Sequence, residues 1–306
     1  MMKKFTFLLA TLLFVTEWLQ AQTPLDAIMM KQRESCFALV YDEGKFDQYW
    51  EGKNLRTNAT IATVNRQTVL PLMAIGVHNK VNLIVAVPYV KSFSSELNGG
   101  KFAGAKGFQD LNLALKGEIV NKQVGKGKLA ALATIGYSTP ITNYLSDYRP
   151  YSIGFGANEV SLRGIVQYKL AMGIYVRGAM AYLWRGQTQI ERDYYYNNGS
   201  YYTTWMDVPN AWSYNGVVGI RTLKNSLLLE ANISGLNSTS GDDIRKYNAA
   251  QPTNKVDSEQ LGFQAQYYFN KVKGLGLLTY YYQVINGRNV GKVSGFGIGG
   301  TYVFKI

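Results

Sequence analysis

The chain has 306 residues, with 32 Lys and Arg against 20 Asp and Glu for a formal net charge of +12, and a single cysteine. One cysteine, Cys36, excludes an intramolecular disulfide and a thiolate-cluster metal site, and a mean hydropathy of -0.12 is far too low for a bundle of membrane helices. The basic residues are scattered along the whole chain, which speaks against nucleic-acid binding and for a basic interior and loops that meet lipid phosphates.

The amino end places Lys3 and Lys4 before an apolar run from Phe5 to Val15, then Leu19-Gln20-Ala21 before Gln22. This pattern predicts a secretory signal peptide over residues 1–21, cut after Ala21. The run is only about half the length of a membrane-spanning helix, and no Cys follows the cut to carry a lipid anchor. Residues 22–306 contain no Pro/Ser-rich linker and are read as one domain.

From Ser35 to Val40 a first strand leads into the aromatic segment Phe46 to Trp50. A long strand is expected from Thr57 to Val77, a turn at His78-Asn79-Lys80, a return from Val81 to Ser92, and a Gly-rich loop near Gly99 to Gly107. The next strand alternates clearly. Asp110, Asn112, Lys116 and Glu118 share one face with Ala114, while Leu111, Leu113, Leu115 and Ile119 share the other. A period of two is a strand signal, and a helix would scatter these residues.

After a turn at Gly125-Lys126-Gly127, a strand runs from Lys128 to Tyr137, followed by a loop to about Ala157. Glu159, Ser161, Arg163, Gln167 and Lys169 then alternate with Val160, Leu162, Val166 and Tyr168. Ala171 to Gly173 is a tight turn. Beyond it Ile174, Val176, Met180, Tyr182 and Trp184 face one way, and Arg177 and Arg185 the other. The stretch from Glu191 to Trp205 centres on Asn198-Gly199, a two-residue hairpin signal, so two strands are expected to extend beyond the membrane and meet there.

Trp212 to Thr222 descends with Arg221 near its end, Leu223 to Asn225 turns, and Leu227 to Gly235 rises with Glu230 and Asn232 on the polar face. Gln260, Gln264 and Gln266 alternate with Leu261, Phe263, Ala265, Tyr267 and Phe269. The final stretch, Val293 to Ile306, puts Phe296, Ile298, Tyr302, Phe304 and Ile306 on one face and Gly295, Gly297, Gly299, Thr301 and Lys305 on the other.

A secretory leader, no long apolar helix and a chain ending on such a strand resemble an outer-membrane β-barrel protein. Connections alternate short (near 78, 125, 171, 224 and 272) and long (near 50, 100, 147, 198, 246 and 289), as periplasmic turns and outer loops do. The fold class expected is all-β: a transmembrane antiparallel up-and-down β-barrel of about twelve strands, with ten to fourteen allowed by boundary error. A soluble carrier barrel would turn the same apolar faces inward. The alternation alone does not say which face encloses the axis.

Gly107-Phe108-Gln109-Asp110-Leu111, the alternating leucines to Lys116, and Tyr137-Ser138-Thr139-Pro140 closing the next strand are similar to the meta-pathway phenol-degradation family of outer-membrane proteins. The resemblance implies passage of small, often aromatic or hydrophobic compounds across the outer membrane of a Gram-negative cell, and no catalytic residues. Ile141 stands where that pattern has Gly, and the family's substrate is not carried over.

No enzyme is expected, and a Ser-His dyad in particular lacks a suitable histidine. His78 is the only histidine and falls on a short turn, away from the rim where barrel hydrolases hold their dyads. Asp242, Asp243 and Asp257 fit no known calcium-loop spacing and read as solvated carboxylates. No metal and no cofactor is expected.

The lumen and solute path is assigned to Asp110, Lys116, Glu118, Glu159, Arg163, Lys169, Arg177, Arg185, Arg221 and Glu230; Asp110, Glu118 and Glu159 could form paired carboxylates, but their ion pairing with Lys116, Arg163 or Arg177 is the expectation. The tyrosines Tyr194, Tyr195, Tyr196, Tyr201 and Tyr202 with Trp205 are loop binding candidates that could stack on an aromatic compound or sugar; an interfacial girdle or rigid hairpin tip is the alternative. The function expected is porin-like: passive passage or binding of small solutes, aromatic, hydrophobic or anionic, through a polar, basic lumen. The alternatives are a surface receptor or adhesin working through its loops, and a plugged structural barrel. The partners expected are outer-membrane lipid, the barrel-assembly machinery during insertion and the small-molecule solute, with no nucleic acid.

Overall fold

Successive side chains of a strand point to opposite faces, so the alternation above can be satisfied only if each long strand separates two environments. In the computed structural model, which describes residues 22–59, 61–98, 102–245 and 249–306, the strands form a closed antiparallel barrel of twelve staves, with no helix among the described residues. The staves are β1 (Glu34–Phe46), β2 (Val64–His78), β3 (Val81–Ala86 continued by Tyr89–Asn98), β4 (Phe102–Phe108 continued by Asp110–Val124), β5 (Gly127–Pro140) and β6 (Glu159–Leu170). They are followed by β7 (Ile174–Arg185), β8 (Ala211–Thr222), β9 (Leu227–Ser238), β10 (Asp257–Tyr268), β11 (Leu275–Arg288) and β12 (Ser294–Lys305). Each stave pairs with the next, and β1 closes the wall against β12 in a register running from Glu34↔Lys305 to Lys45↔Ser294. The predicted leader, residues 1–21, lies outside the described residues.

Exposure decides which face encloses the axis. Leu115, Ile135, Val166, Val176, Val218, Phe263 and Phe296 are all half exposed or more, whereas Lys116 is fully buried and Arg177 nearly so. The apolar faces therefore point out and the charged faces in, the arrangement of a barrel set in lipid. Aromatic rings band both ends of the outer surface. Tyr182 packs edge-on to Trp184 and Trp212 at the long-loop end, while Tyr267–Phe269 and Tyr302–Phe304 pairs sit at the short-turn end. Such girdles mark the two interfaces of a bilayer.

Three local readings are corrected. The strand expected from Thr57 begins at Val64, because Asn54–Thr57 pairs instead with Gln48–Glu51 in a small ladder of its own. Of the Gly-rich loop expected near Gly99 to Gly107, residues 99–101 lie outside the described residues and the rest is strand, since Phe102–Phe108 pairs with β3 and Gly104 lets the Ser92–Phe93 backbone approach closely. The hairpin at Asn198 has a three-residue tip, with Tyr196 opposite Ser200 and Asn198 in the left-handed region at φ 53°. Its ladder is also broken, into Gln187–Gln189 with Trp205–Asp207 and Tyr195–Tyr196 with Ser200–Tyr201.

Pro88 explains why β3 is in two pieces. It has no N–H for the ladder, so the pairing shifts by one residue between Ala86↔Asn112 and Tyr89↔Phe108, and Gln109 N–H donates to the Pro88 carbonyl at 2.9 Å. The result is a bulge that bends both staves without opening the wall.

Candidate functional site

The lumen is crossed by the chain's own beginning. Residues 22–33 precede β1 and run inside the barrel toward the short-turn end, with Ala27 and Met29 against Leu132, Ile165 and Ala179 on one wall. Ile28 and Met30 pack against Cys36, Ala74, Ile84 and Val303 on the other. Alternate side chains of one extended segment thus reach both sides of the tube. Gly76 permits its exit at the rim: any Cβ there would collide with the Lys31 carbonyl.

One cation anchors this segment. Lys116 Nζ donates to Asp26 Oδ1 at 2.8 Å, to the Thr23 carbonyl at 2.7 Å and to the Asp26 carbonyl at 3.0 Å. An ammonium has three N–H groups, so its hydrogen-bonding capacity is filled. Asp26 in turn accepts from the Thr23 hydroxyl at 2.8 Å and from Ile28 N–H at 2.8 Å, which shapes the turn that presents it. Asn82 Nδ2 donates to the Met30 carbonyl at 3.0 Å, a second tie.

The remaining lumenal candidates divide into layers. Toward the short turns, Arg177 binds Glu230 through both terminal nitrogens, at 2.9 and 3.3 Å, and the Tyr175 hydroxyl donates to the same carboxylate. Arg221 and Lys169 stand in this layer with Lys128 around a cavity of about 200 Å³. Arg163 is on the inward face of β6, one of its guanidinium nitrogens buried without a partner. Glu118 accepts from the Asn121 amide.

Toward the long loops, Arg185 Nε donates to Glu159 at 2.7 Å, and Tyr144 donates to Asp110 at 2.6 Å. The pairing expected of Asp110, Glu118 and Glu159 with Lys116, Arg163 or Arg177 is thus corrected, because Lys116 is taken by Asp26 and Arg177 by Glu230. The loop 141–158 folds inward here. Tyr151 and Ile153 are buried, and Arg66 of β2 donates to the Ile153 carbonyl at 2.7 Å. The guanidinium carbons of Arg149 and Arg185 lie 4.5 and 4.9 Å from the Phe155 ring centroid. Each distance is within cation–π range, so two cations share one aromatic ring at the outer end. A cavity of about 190 Å³ lies beside them, lined by Asp110, Asn112, Phe155, Glu159 and Arg185 among others.

On the opposite wall, Asp42 accepts from Tyr280 at 3.0 Å and from Tyr282 at 3.2 Å, at the edge of a cavity of about 400 Å³. The two rings lie across Gly297 and Gly295 of β12; a Cβ on Gly295 would sit 2.5 Å from the Tyr282 ring. The small face of the last strand is therefore a bed for lumenal tyrosines. A concavity of about 780 Å³ lies elsewhere: it is a groove on the outer surface lined by Val218, Ile220, Phe263 and Phe296, which is lipid-facing wall.

The loop tyrosines pack mainly on one another. Tyr195 is buried with Ile190 and Met206 and stacks on Tyr201 at 5.1 Å, and Tyr194 meets Tyr202 at 5.1 Å. Tyr196, Trp205 and above all Tyr202, 83% exposed, present their rings outward. Asp242 accepts from Thr253 and Asn254, and Asp243 takes a bidentate bond from Arg288, both at 2.7 Å. That pairing holds the Asp243 carboxyl down at about 2. Among the described residues no group of His, Cys, Asp and Glu could hold a metal ion.

Sequence reasoning missed Asp26, Arg66, Arg149, Phe155, Lys128 and the Asp42–Tyr280–Tyr282 trio. The tyrosines carried a signal, since Tyr280 and Tyr282 are two apart on a strand that follows a polar-face pattern. Asp26 carried none, because it lies in a turn ahead of the first stave, where no alternation of polar and apolar residues marks an inward face.

No family model and no curated protein matches this sequence. Solved structures match in shape. The COG4313 outer membrane channel from Pseudomonas putida F1 superposes with a TM-score of 0.72 at 11% identity, covering 93% of this chain and all of that one. The translocator domain of autotransporter NalP from Neisseria meningitidis gives a TM-score of 0.45 at 14% identity over 90% of each chain. OccK5 from Pseudomonas aeruginosa gives 0.37 at 10% identity, covering 90% of this chain and 99% of that one. The first of these shows the fold: this chain is built like a bacterial outer-membrane β-barrel.

Proposed function

We propose that this protein is a channel of the Gram-negative outer membrane that binds small solutes in its lumen and lets them pass, favouring anionic or polarisable ones. One observation carries the reading: a wall whose outer face is apolar encloses polar cavities, one beside Ala27 and Ile28 lined by Lys128, Lys169, Arg177 and Arg221, one lined by Arg185 with Asp110 and Glu159, and one lined by Tyr280 and Tyr282 with Asp42. The likeness to a solved outer membrane channel supports it at the level of fold. In this reading the lipid bilayer and the assembly machinery are the partners, the barrel performs no chemistry, and the segment 22–33 sets the bore. At twelve strands the interior is narrow, so conductance is small.

The test is single-channel recording of the refolded barrel in planar bilayers. Small, anion-preferring conductance supports the proposal; no conductance, or a clear cation preference, sinks it. The packed segment favours one rival, a sealed structural barrel, and that rival requires silence in the native protein. Deleting the 191–205 hairpin separates the loop-receptor alternative, because a channel keeps conducting without it.

A further inference from the structure

Three cations with no acidic partner among the described residues meet at one small cavity near the short-turn end. Lys128 and Lys169 are direct cross-strand partners on the inward faces of β5 and β6. Like charges set opposite one another destabilise a ladder, so the pair makes physical sense where an anion lies between them. Arg221 joins them from β8, and its Nη1 is buried with no hydrogen-bond partner among the described residues. Arg177 borders the same space; it is nine-tenths buried, its terminal nitrogens are engaged by Glu230, and its Nε is also without a partner.

The cavity measures about 200 Å³, and among the described residues no Asp or Glu lines it. Asn121 lines it while donating to Glu118, and Gln167 adds an amide able to donate. The wall contributed by the lumenal segment is different. Ala27 and Ile28, with Ala130 of β5, supply an apolar surface facing the cations. A bare inorganic anion would satisfy the charge and leave that surface wet. An anion with a hydrocarbon body satisfies both.

We propose that this cavity is a binding site for a small organic carboxylate. The head group lies among Lys128, Lys169 and Arg221, where each contact is a charge-assisted hydrogen bond, and the hydrocarbon body lies against Ala27, Ile28 and Ala130. Lys128 is exposed at the barrel mouth, so the site is reached from the short-turn end. The inference deepens the proposed channel reading by naming a solute class, yet equilibrium binding does not depend on passage.

The experiment is isothermal titration of the whole refolded barrel in zwitterionic detergent with hexanoate, with hexanamide as the uncharged isostere and inorganic phosphate as the anion without a body. Saturable binding of hexanoate, and weaker or no binding of the other two, is expected. Arg221→Met and Lys169→Met should each weaken hexanoate about tenfold, the effect of losing one charge-assisted bond. Native protein gives a second readout independent of variants. Hexanoate should protect Lys128 and Lys169 from an amine-acylating reagent, read by mass spectrometry, while Lys271 and Lys273 on an exposed turn stay reactive. Equal affinity for hexanamide or phosphate, no saturable hexanoate binding, or no selective protection would overturn the proposal. A barrel silent in bilayers that still binds hexanoate would sink the channel reading and leave this site standing.

Discussion

Lys116 Nζ and Asp26 Oδ1 lie 2.8 Å apart in the middle of the barrel, joining the wall to a segment ninety residues earlier in the chain. The side chain of Lys116 is fully buried and that of Asp26 nearly so. Removing one partner leaves a buried charge uncompensated, at a cost of about 3–5 kcal/mol. Asp26→Ala should therefore free residues 22–33, raise single-channel conductance and expose this stretch to protease. The double variant Asp26→Ala/Lys116→Met should recover part of the stability lost by the single change, as coupled neighbours do, while keeping the larger conductance. Heat-modifiable gel mobility measures the first effect and bilayer recording the second.

A comparable pair fixes the layer below. Glu230→Gln keeps one acceptor for the Arg177 guanidinium and the Tyr175 hydroxyl but removes the charge. The expected outcome is a barrel that folds and melts at a lower temperature than native. Glu230→Ala should cost more, about 3–5 kcal/mol, because it strands the guanidinium altogether. Equal melting temperatures for both variants and the native protein would show that the pair contributes nothing.

Gly297 is a test of shape. Its missing side chain leaves the space that the Tyr280 ring fills. Gly297→Val forces the ring aside or bends β12, and overpacking of this kind costs about 1–3 kcal/mol. Gly297→Val combined with Tyr280→Ala should fold better than Gly297→Val alone, since the second change empties the contested volume. The folded fraction after refolding into detergent decides it.

The pairing of Asp243 with Arg288 ties the loop segment 239–245 to the end of β11 and makes it acid-sensitive. The folded Asp243 carboxyl sits at about 2, below its ordinary value of 3.8. A carboxyl depressed in the folded state adds stability that is whole above the ordinary value and is lost as pH falls through the depressed one. Pepsin cleavage within this loop should therefore stay slow near pH 4 and accelerate toward about pH 2. Asp243→Asn should be cleaved readily across that range; a flat native profile would refute the role assigned to the pair.

The architecture was legible because every stave carries one alternating pattern, and lipid on one side of a sheet imposes a period of two. Leu111 to Glu118 and Glu159 to Lys169 are the clearest cases, and both fall on the faces read for them. Legibility failed where alternation is absent. Gly104 and Gly107 in β4 have no side chains to alternate, and the broken ladder around Asn198 is governed by tyrosine packing rather than by the hairpin dipeptide. Candidate residues on the lumenal face could be named from parity alone. Their partners could not, since Asp26 pairs with Lys116 and Arg149 with Phe155 through contacts that no local spacing records.

Closure of the wall also constrains the order of assembly. β1 needs β12 as well as β2, and the amide of Ile306 donates to the carbonyl of Arg33 at 2.9 Å, so the seam zips only after synthesis has passed its far edge. Residues 22–33 lie immediately upstream of that seam. They can be wrapped by a sheet still curling around them, like a mandrel inside a rolled tube, and never have to be threaded through a finished ring.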